Sequence, residues 1–243
     1  MITRALKALS ALLTYPTLDL QAAMPELAAV IEGEALLPAT VRRGLGHLID
    51  ELATGDLYDL QERYVLLFDR TRSLSLHLFE HVHGESRDRG QAMIDLKNLY
   101  EQQGLSISAA ELPDFVPLFI EFLSTQPMGE ACALLGQPVH ILSALAERLR
   151  KRGSAYEAVF RALVALAAAK PKDDALSALL QEPDADADDL AALDKAWEDE
   201  PVRFGPGAGD GCKDNLVARI RAGRRPAPGM PVTPPIRPVL PRP

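Results

Sequence analysis

Residues 138–153 read Pro-Val-His-Ile-Leu-Ser-Ala-Leu-Ala-Glu-Arg-Leu-Arg-Lys-Arg-Gly. Pro138 opens the segment, and Val139, Leu142, Leu145 and Leu149 recur at helical spacing. Lys151 and Arg152 suit the negative end of a helix dipole, and Gly153 supplies a stop. A start signal, a 3.6-residue stripe and a stop signal agree here, so the segment is a helix.

The same grammar extends in both directions. Ser154 can cap a following helix whose stripe is Tyr156, Val159, Phe160, Leu163 and Leu166. Upstream, Pro113 opens a segment carrying Phe115, Leu118, Phe119, Phe122 and Leu123. Met93, Leu96, Leu99 and Tyr100 form a stripe stopped by Gly104. Leu57, Leu60, Tyr64, Leu67 and Phe68 form another, flanked by Asp56, Asp59, Glu62 and Arg63. At the start, Ile2, Leu6, Leu9 and Leu13 repeat at helical spacing with no Ala-x-Ala site soon after, which reads as an amphipathic helix rather than a signal peptide. No alternating run bounded by turn residues makes a convincing strand. The reading is an all-α antiparallel helical bundle, a single domain over 1–170.

The composition changes after Pro171. Lys172 to Glu200 holds eleven acidic and two basic residues, a net of −9, and suggests a loosely packed acidic appendix with one helix near Leu190 to Trp197. From Pro201 there are eight basic and two acidic residues, and the last eighteen residues contain eight prolines, which forbids helix there. The expected organisation is a helical domain over 1–170, a partly helical acidic appendix and linker over 171–225, and a disordered Pro/Arg-rich tail over 226–243.

The 243 residues are 47% hydrophobic and 25% charged, ordinary for a globular protein. A net charge of −8 disfavours a nucleic-acid partner and suits a basic peptide. Cys132 and Cys212 form no CxxC pair, which points to a reducing compartment. The uncharged run Ala131–Ala146 is too short to span a bilayer. The expected location is cytoplasmic.

One window departs from the helical grammar. Leu76–Met93 reads Leu-His-Leu-Phe-Glu-His-Val-His-Gly-Glu-Ser-Arg-Asp-Arg-Gly-Gln-Ala-Met and holds three of the five histidines, two glycines and two arginines. Two glycines inside a helix cost about 1 kcal/mol each relative to Ala, so core packing alone did not select it. His77, Glu80 and His81 match the H-x-x-E-H pattern, in which two histidines on one helix face hold zinc beside a glutamate base. A third ligand is missing and Gly84 interrupts the helix, so the expected role of these histidines is to line a groove or cap a helix end. Around them Asp69, Glu80 and Glu85 alternate with Arg70, Arg72, Arg87 and Arg89. Two readings stay open from spacing alone. One is a solvated charged loop. The other is a recognition surface for a charged amphipathic peptide, with Leu74, Leu76, Leu78 and Phe79 as apolar anchors. Ser86 reads as a helix N-cap, Cys132 as core, and His47 and His140 as packed histidines. No P-loop, GxGxxG or G-x-S-x-G elbow is present.

Three blocks together, Glu62-Arg63-Tyr64-Val65 through Phe68-Asp69, the Leu-x-Leu-x-Leu-Phe-Glu-His-Val-His-Gly-Glu-Ser-Arg-x-Arg-Gly-x-Ala-Met window, and Glu111-Leu112-Pro113-Asp114, resemble the NarJ-type nitrate reductase assembly chaperones of the TorD/DmsD group. The resemblance covers roughly Leu6 to Ala169. It implies a TorD-like bundle and a non-enzymatic protein with no cofactor of its own. Its implied partner is the apo catalytic subunit of a membrane-bound nitrate reductase. The chaperone holds that subunit ready for molybdenum cofactor insertion and delays membrane docking, recognising among other surfaces a basic amphipathic N-terminal peptide. The implied binding residues are Tyr64, Phe68, Asp69, Leu76, Glu80, His81, His83, Gly84, Ser86, Arg87 and Arg89. If neutral His81 or His83 faces the peptide, binding should weaken as pH falls. Two alternatives accompany this reading, a chaperone for another molybdoenzyme and a zinc hydrolase built on His77, Glu80 and His81.

Overall fold

A computed structural model describes residues 2–83, 87–107 and 111–181, without the side chains of 2, 3, 83, 87 and 88. Eleven α-helices run through these residues: α1 Ile2–Leu12, α2 Leu18–Glu32, α3 Ala39–Thr54, α4 Leu57–Tyr64, α5 Glu80–His83, α6 Arg87–Gln102, α7 Val116–Ser124, α8 Met128–Leu135, α9 Val139–Lys151, α10 Glu157–Leu166 and α11 Asp173–Gln181. Among the described residues there is no strand, only one isolated antiparallel bridge between His77 and Phe115.

The helix at the centre is α7. Seven of its nine residues are buried, and Glu121 alone is exposed to water. It packs along α1, whose Leu6, Leu9 and Leu12 are fully buried. The Ser10 hydroxyl donates to the Pro117 carbonyl at 2.7 Å and clasps the two helices at the N-terminal end of α7. Around this pair α2 packs on α3, α3 on α10, and α10 on α9.

The helix signals were placed well where proline and glycine set them. α9 starts directly after Pro138, and Gly153 sits past its end at φ 66°. Gly104 ends α6 in the same left-handed conformation, at φ 80°. Two starts differ from the sequence reading. Pro113 lies in the turn before α7, which begins at Val116 with Pro117 in its first turn. α10 begins at Glu157, and its first turn is closed by the Ser154 carbonyl accepting from the Glu157 N–H, rather than by the serine side chain. His47 also differs: it is exposed on α3, whereas His140 is packed as expected.

The helical body continues past 170. α11 packs on α9 and buries Leu179. The link is Arg148, 2% exposed. Its guanidinium donates to the Leu179 carbonyl at 2.5 Å and to the Ser73 carbonyl at 2.7 Å. One buried cation thus ties α9, α11 and the 3-10 turn Arg72–Leu74 together. The expected helix near Leu190 to Trp197 and the Pro/Arg tail lie outside the described residues.

Candidate functional site

α4 does not end at Tyr64. It widens into a π-helical turn, Val65–Asp69, closed by the Arg70 N–H donating to the Val65 carbonyl at 2.9 Å. The wider turn carries one residue more than an α turn, and such bulges often mark functional sites. Tyr64, Phe68 and Asp69 line one cavity, while Leu66 and Leu67 line a smaller one.

The next stretch, 75–77, pairs with 114–116 through an isolated bridge and then turns at 78–79 into α5. The Val116 N–H donates to the Leu76 carbonyl at 2.8 Å, and the Leu78 N–H to the Asp114 carbonyl at 3.1 Å. The Asp114 carboxylate, 0% exposed, accepts from the Phe79 N–H at 3.0 Å and lies 3.3 Å from His77 Nδ1. A buried carboxylate is costly unless its oxygens are satisfied. Here it anchors the bridged segment, α5 and the start of α7 at once. Tyr100 on α6 donates to the Pro113 carbonyl at 2.8 Å and fixes the turn that carries Asp114.

These elements enclose an open cavity of about 720 Å³. The apolar part comes from Tyr15, Tyr64, Phe68, Leu76 and Phe115. Tyr64 is the hub of the aromatic wall. It meets Tyr15 edge-on at 5.6 Å, Phe68 at 5.0 Å and Tyr156 at 6.3 Å. Its hydroxyl donates to the Leu13 carbonyl at 2.8 Å. Burial, with smaller contributions from Tyr156, Glu111 and Asp69, pushes its pKa far up, so it stays a neutral donor.

The charged part is balanced. Asp69, Glu80 and Glu111 face Arg70, Arg72, Arg89 and His77. Glu80 pairs with Arg89 at 3.1 Å, bridging α5 and α6. The hydrogen bond to Asp114 raises the His77 pKa against the opposing effect of burial.

Of the residues singled out from sequence, Tyr64, Phe68, Asp69, Leu76, Glu80 and Arg89 line this cavity. His81 does not. Its Nε2–H donates to the Ser75 carbonyl at 2.8 Å, and burial lowers its pKa. Among the described side chains, His77 is the histidine that lines the cavity. Leu74, Leu78 and Phe79, expected as surface anchors, are core residues. Gly84 and Ser86 lie outside the described residues, as do the side chains of His83 and Arg87. Sequence reasoning passed over Tyr15, Thr14, Thr17 and Phe115, and assigned no role to Asp114. The two-residue alternation of Leu74, Leu76 and Leu78 is the one local departure from helical spacing, although Leu74 falls in the 3-10 turn and Leu78 in the turn after the bridge.

The H-x-x-E-H motif does not form a zincin helix. α5 begins at Glu80, so His77 and His81 do not share a helix face. One imidazole is engaged by Asp114 and the other by Ser75. Among the described residues no group of three or more His, Cys, Asp or Glu side chains is placed to hold a metal ion. His77 and Asp114 resemble two members of a hydrolytic triad, but Ser75 Oγ accepts from the His77 backbone N–H at 3.2 Å rather than facing the ring. The arrangement is suited to holding an apolar side chain among paired charges.

The fold and site define a helical binding protein with an aromatic-walled, charge-edged cavity. The chain belongs to the nitrate reductase delta subunit family, whose model matches residues 34–162. It is 42% identical over 208 residues to the nitrate reductase molybdenum cofactor assembly chaperone NarJ of Escherichia coli K12, covering 86% of this chain and 87% of that one. The "probable nitrate reductase molybdenum cofactor assembly chaperone NarW" of the same organism is 40% identical over 82% of this chain and 83% of its own. Among solved structures, a proposed redox enzyme maturation protein from Archaeoglobus fulgidus aligns at TM-score 0.49 and 23% identity, over 68% of this chain and 92% of that chain. Among the described residues no helix is long and apolar enough to cross a membrane.

Proposed function

We propose that this chain is a non-enzymatic, cytoplasmic maturation chaperone that binds the apo catalytic subunit of a nitrate reductase. It holds that subunit open for molybdenum cofactor insertion before membrane docking. The relatives' names supply the client's class. The observation that carries the mode of recognition is the cavity itself: aromatic walls at Tyr15, Tyr64 and Phe68, with Asp69 and Glu111 at its edge. An amphipathic peptide from the client's N-terminus seats its apolar side chains there. Burial supplies most of the affinity, at about 25 cal/mol per Å² of apolar surface. The carboxylates orient the basic positions rather than deepen binding.

Co-expression tests this reading. The chain should co-purify with the apo catalytic subunit of its host's nitrate reductase. Deleting the client's N-terminal segment should weaken the complex, and deleting this chaperone should leave nitrate reductase short of molybdenum. Full molybdenum loading without the chaperone would refute it.

A further inference from the structure

The cavity's charges cancel, so it cannot by itself select a basic peptide. The acid excess lies next to it. Tyr15 lines the cavity and is 46% exposed, and the chain runs from it through Pro16 and Thr17 into α2. Two hydrogen bonds clamp this stretch against α4 and the turn that precedes it. Gln61 donates to the Pro16 carbonyl at 2.8 Å, and Gln21 donates to the Gly55 carbonyl at 3.1 Å. Leu18 lies between Pro16 and Gln21, and Tyr58 lies between Gly55 and Gln61. The clasps therefore hold the segments that carry these two exposed side chains against one another.

Both are unusually open for their kind: Leu18 is 70% exposed and Tyr58 80%. Asp19, Asp59 and Glu62 are exposed beside them. α2 contains no lysine or arginine, and the one arginine of α4, Arg63, is ion-paired with Glu51. Exposed large apolar side chains ringed by charges of one sign are a mark of an interaction surface.

We infer that the Tyr15–Leu18–Tyr58 strip, with Asp19, Asp59 and Glu62, is a second docking surface that continues the cavity and reads the basic stretch of the same client peptide. This rests on the peptide-binding reading above. It assigns apolar anchoring to the cavity and charge selection to the strip.

Calorimetric titration of the full chain with two peptides tests it. One is the client's N-terminal peptide, and the other is a shortened form that retains only the apolar part. Leu18→Ser with Tyr58→Ala should weaken the long peptide about tenfold and leave the short one unchanged. Asp59→Lys with Glu62→Lys should flatten the salt dependence for the long peptide only. All four positions are exposed, and a melting curve confirms that the variants are folded. Unchanged affinity and salt dependence for the long peptide in both variants, with binding still lost on changing the cavity, would overturn the strip and leave the cavity reading standing. If neither peptide binds the unmodified chain, both readings fail. If light scattering shows dimers that the Leu18/Tyr58 variant dissolves, the strip belongs to a second copy of the chain and the inference is wrong.

Discussion

Replacing Asp114 by alanine removes a buried carboxylate that ties the 77–79 turn to the segment leading into α7. In the native chain its carboxylate accepts from the Phe79 N–H and faces His77 Nδ1 with no exposure to solvent. A hydrogen bond to a charged group contributes about 1.5–3 kcal/mol, and a buried donor left unmade costs about 1–3 kcal/mol. Two such interactions, one of them long at 3.3 Å, put the loss at about 3–4 kcal/mol. Asp114→Asn should cost less, about 1–2 kcal/mol, because the amide oxygen can still accept from Phe79 while the charge is lost. The difference between wild type and the asparagine variant should depend on pH. His77 has a raised pKa in the folded chain, so the stability it contributes is fully present below its ordinary value of 6.5 and fades as pH rises past the raised value. The gap should therefore be largest near pH 6 and shrink above it. Urea unfolding across pH measures both effects. An alanine variant within about 1 kcal/mol of wild type, or a gap that grows with pH, would refute the anchoring role.

Other outcomes follow from the same geometry. Arg148→Met keeps the apolar stem but strands the Ser73 and Leu179 carbonyls, and should cost about 3–5 kcal/mol in thermal or urea unfolding. It should also release α11, seen as faster amide exchange over 173–181. His77→Gln should flatten the pH dependence of peptide binding, which in the wild type weakens as pH falls and His77 gains charge in the cavity wall near Arg89. His81→Gln should not, since its ring is turned onto Ser75. A titration series over pH separates the two.

Much of the bundle was legible because its signals are local. Pro138 and Gly153 bracket α9 within a few residues of sequence, and the stripe between them needs no distant partner. The features that shape the cavity are not local. His77 and Asp114 meet across 37 positions, and nothing in either neighbourhood announces the other. Leu74, Leu76 and Leu78 alternate, but three residues of period two are too few to outweigh a helical context. The π turn is equally silent, because Tyr64 and Phe68 fit an α stripe as well as a π one. Acidic composition after Pro171 suggested loose packing, yet Asp173 and Asp174 sit at the favourable end of α11 while Leu176 and Leu179 turn inward. Charge counted over the chain also misled locally, since the net of −8 is not carried into the cavity, where Asp69, Glu80 and Glu111 are matched by Arg70, Arg72 and Arg89.

The most direct test is a calorimetric titration of the full chain with the N-terminal peptide of its nitrate reductase catalytic subunit, run beside a scrambled peptide of equal composition. One peptide should bind per chain. Affinity should fall with salt without vanishing and drop at least tenfold in Phe68→Ala, while the scrambled peptide binds far more weakly. Equal affinity for the two peptides, or no heat at low salt and neutral pH, would contradict recognition by this cavity.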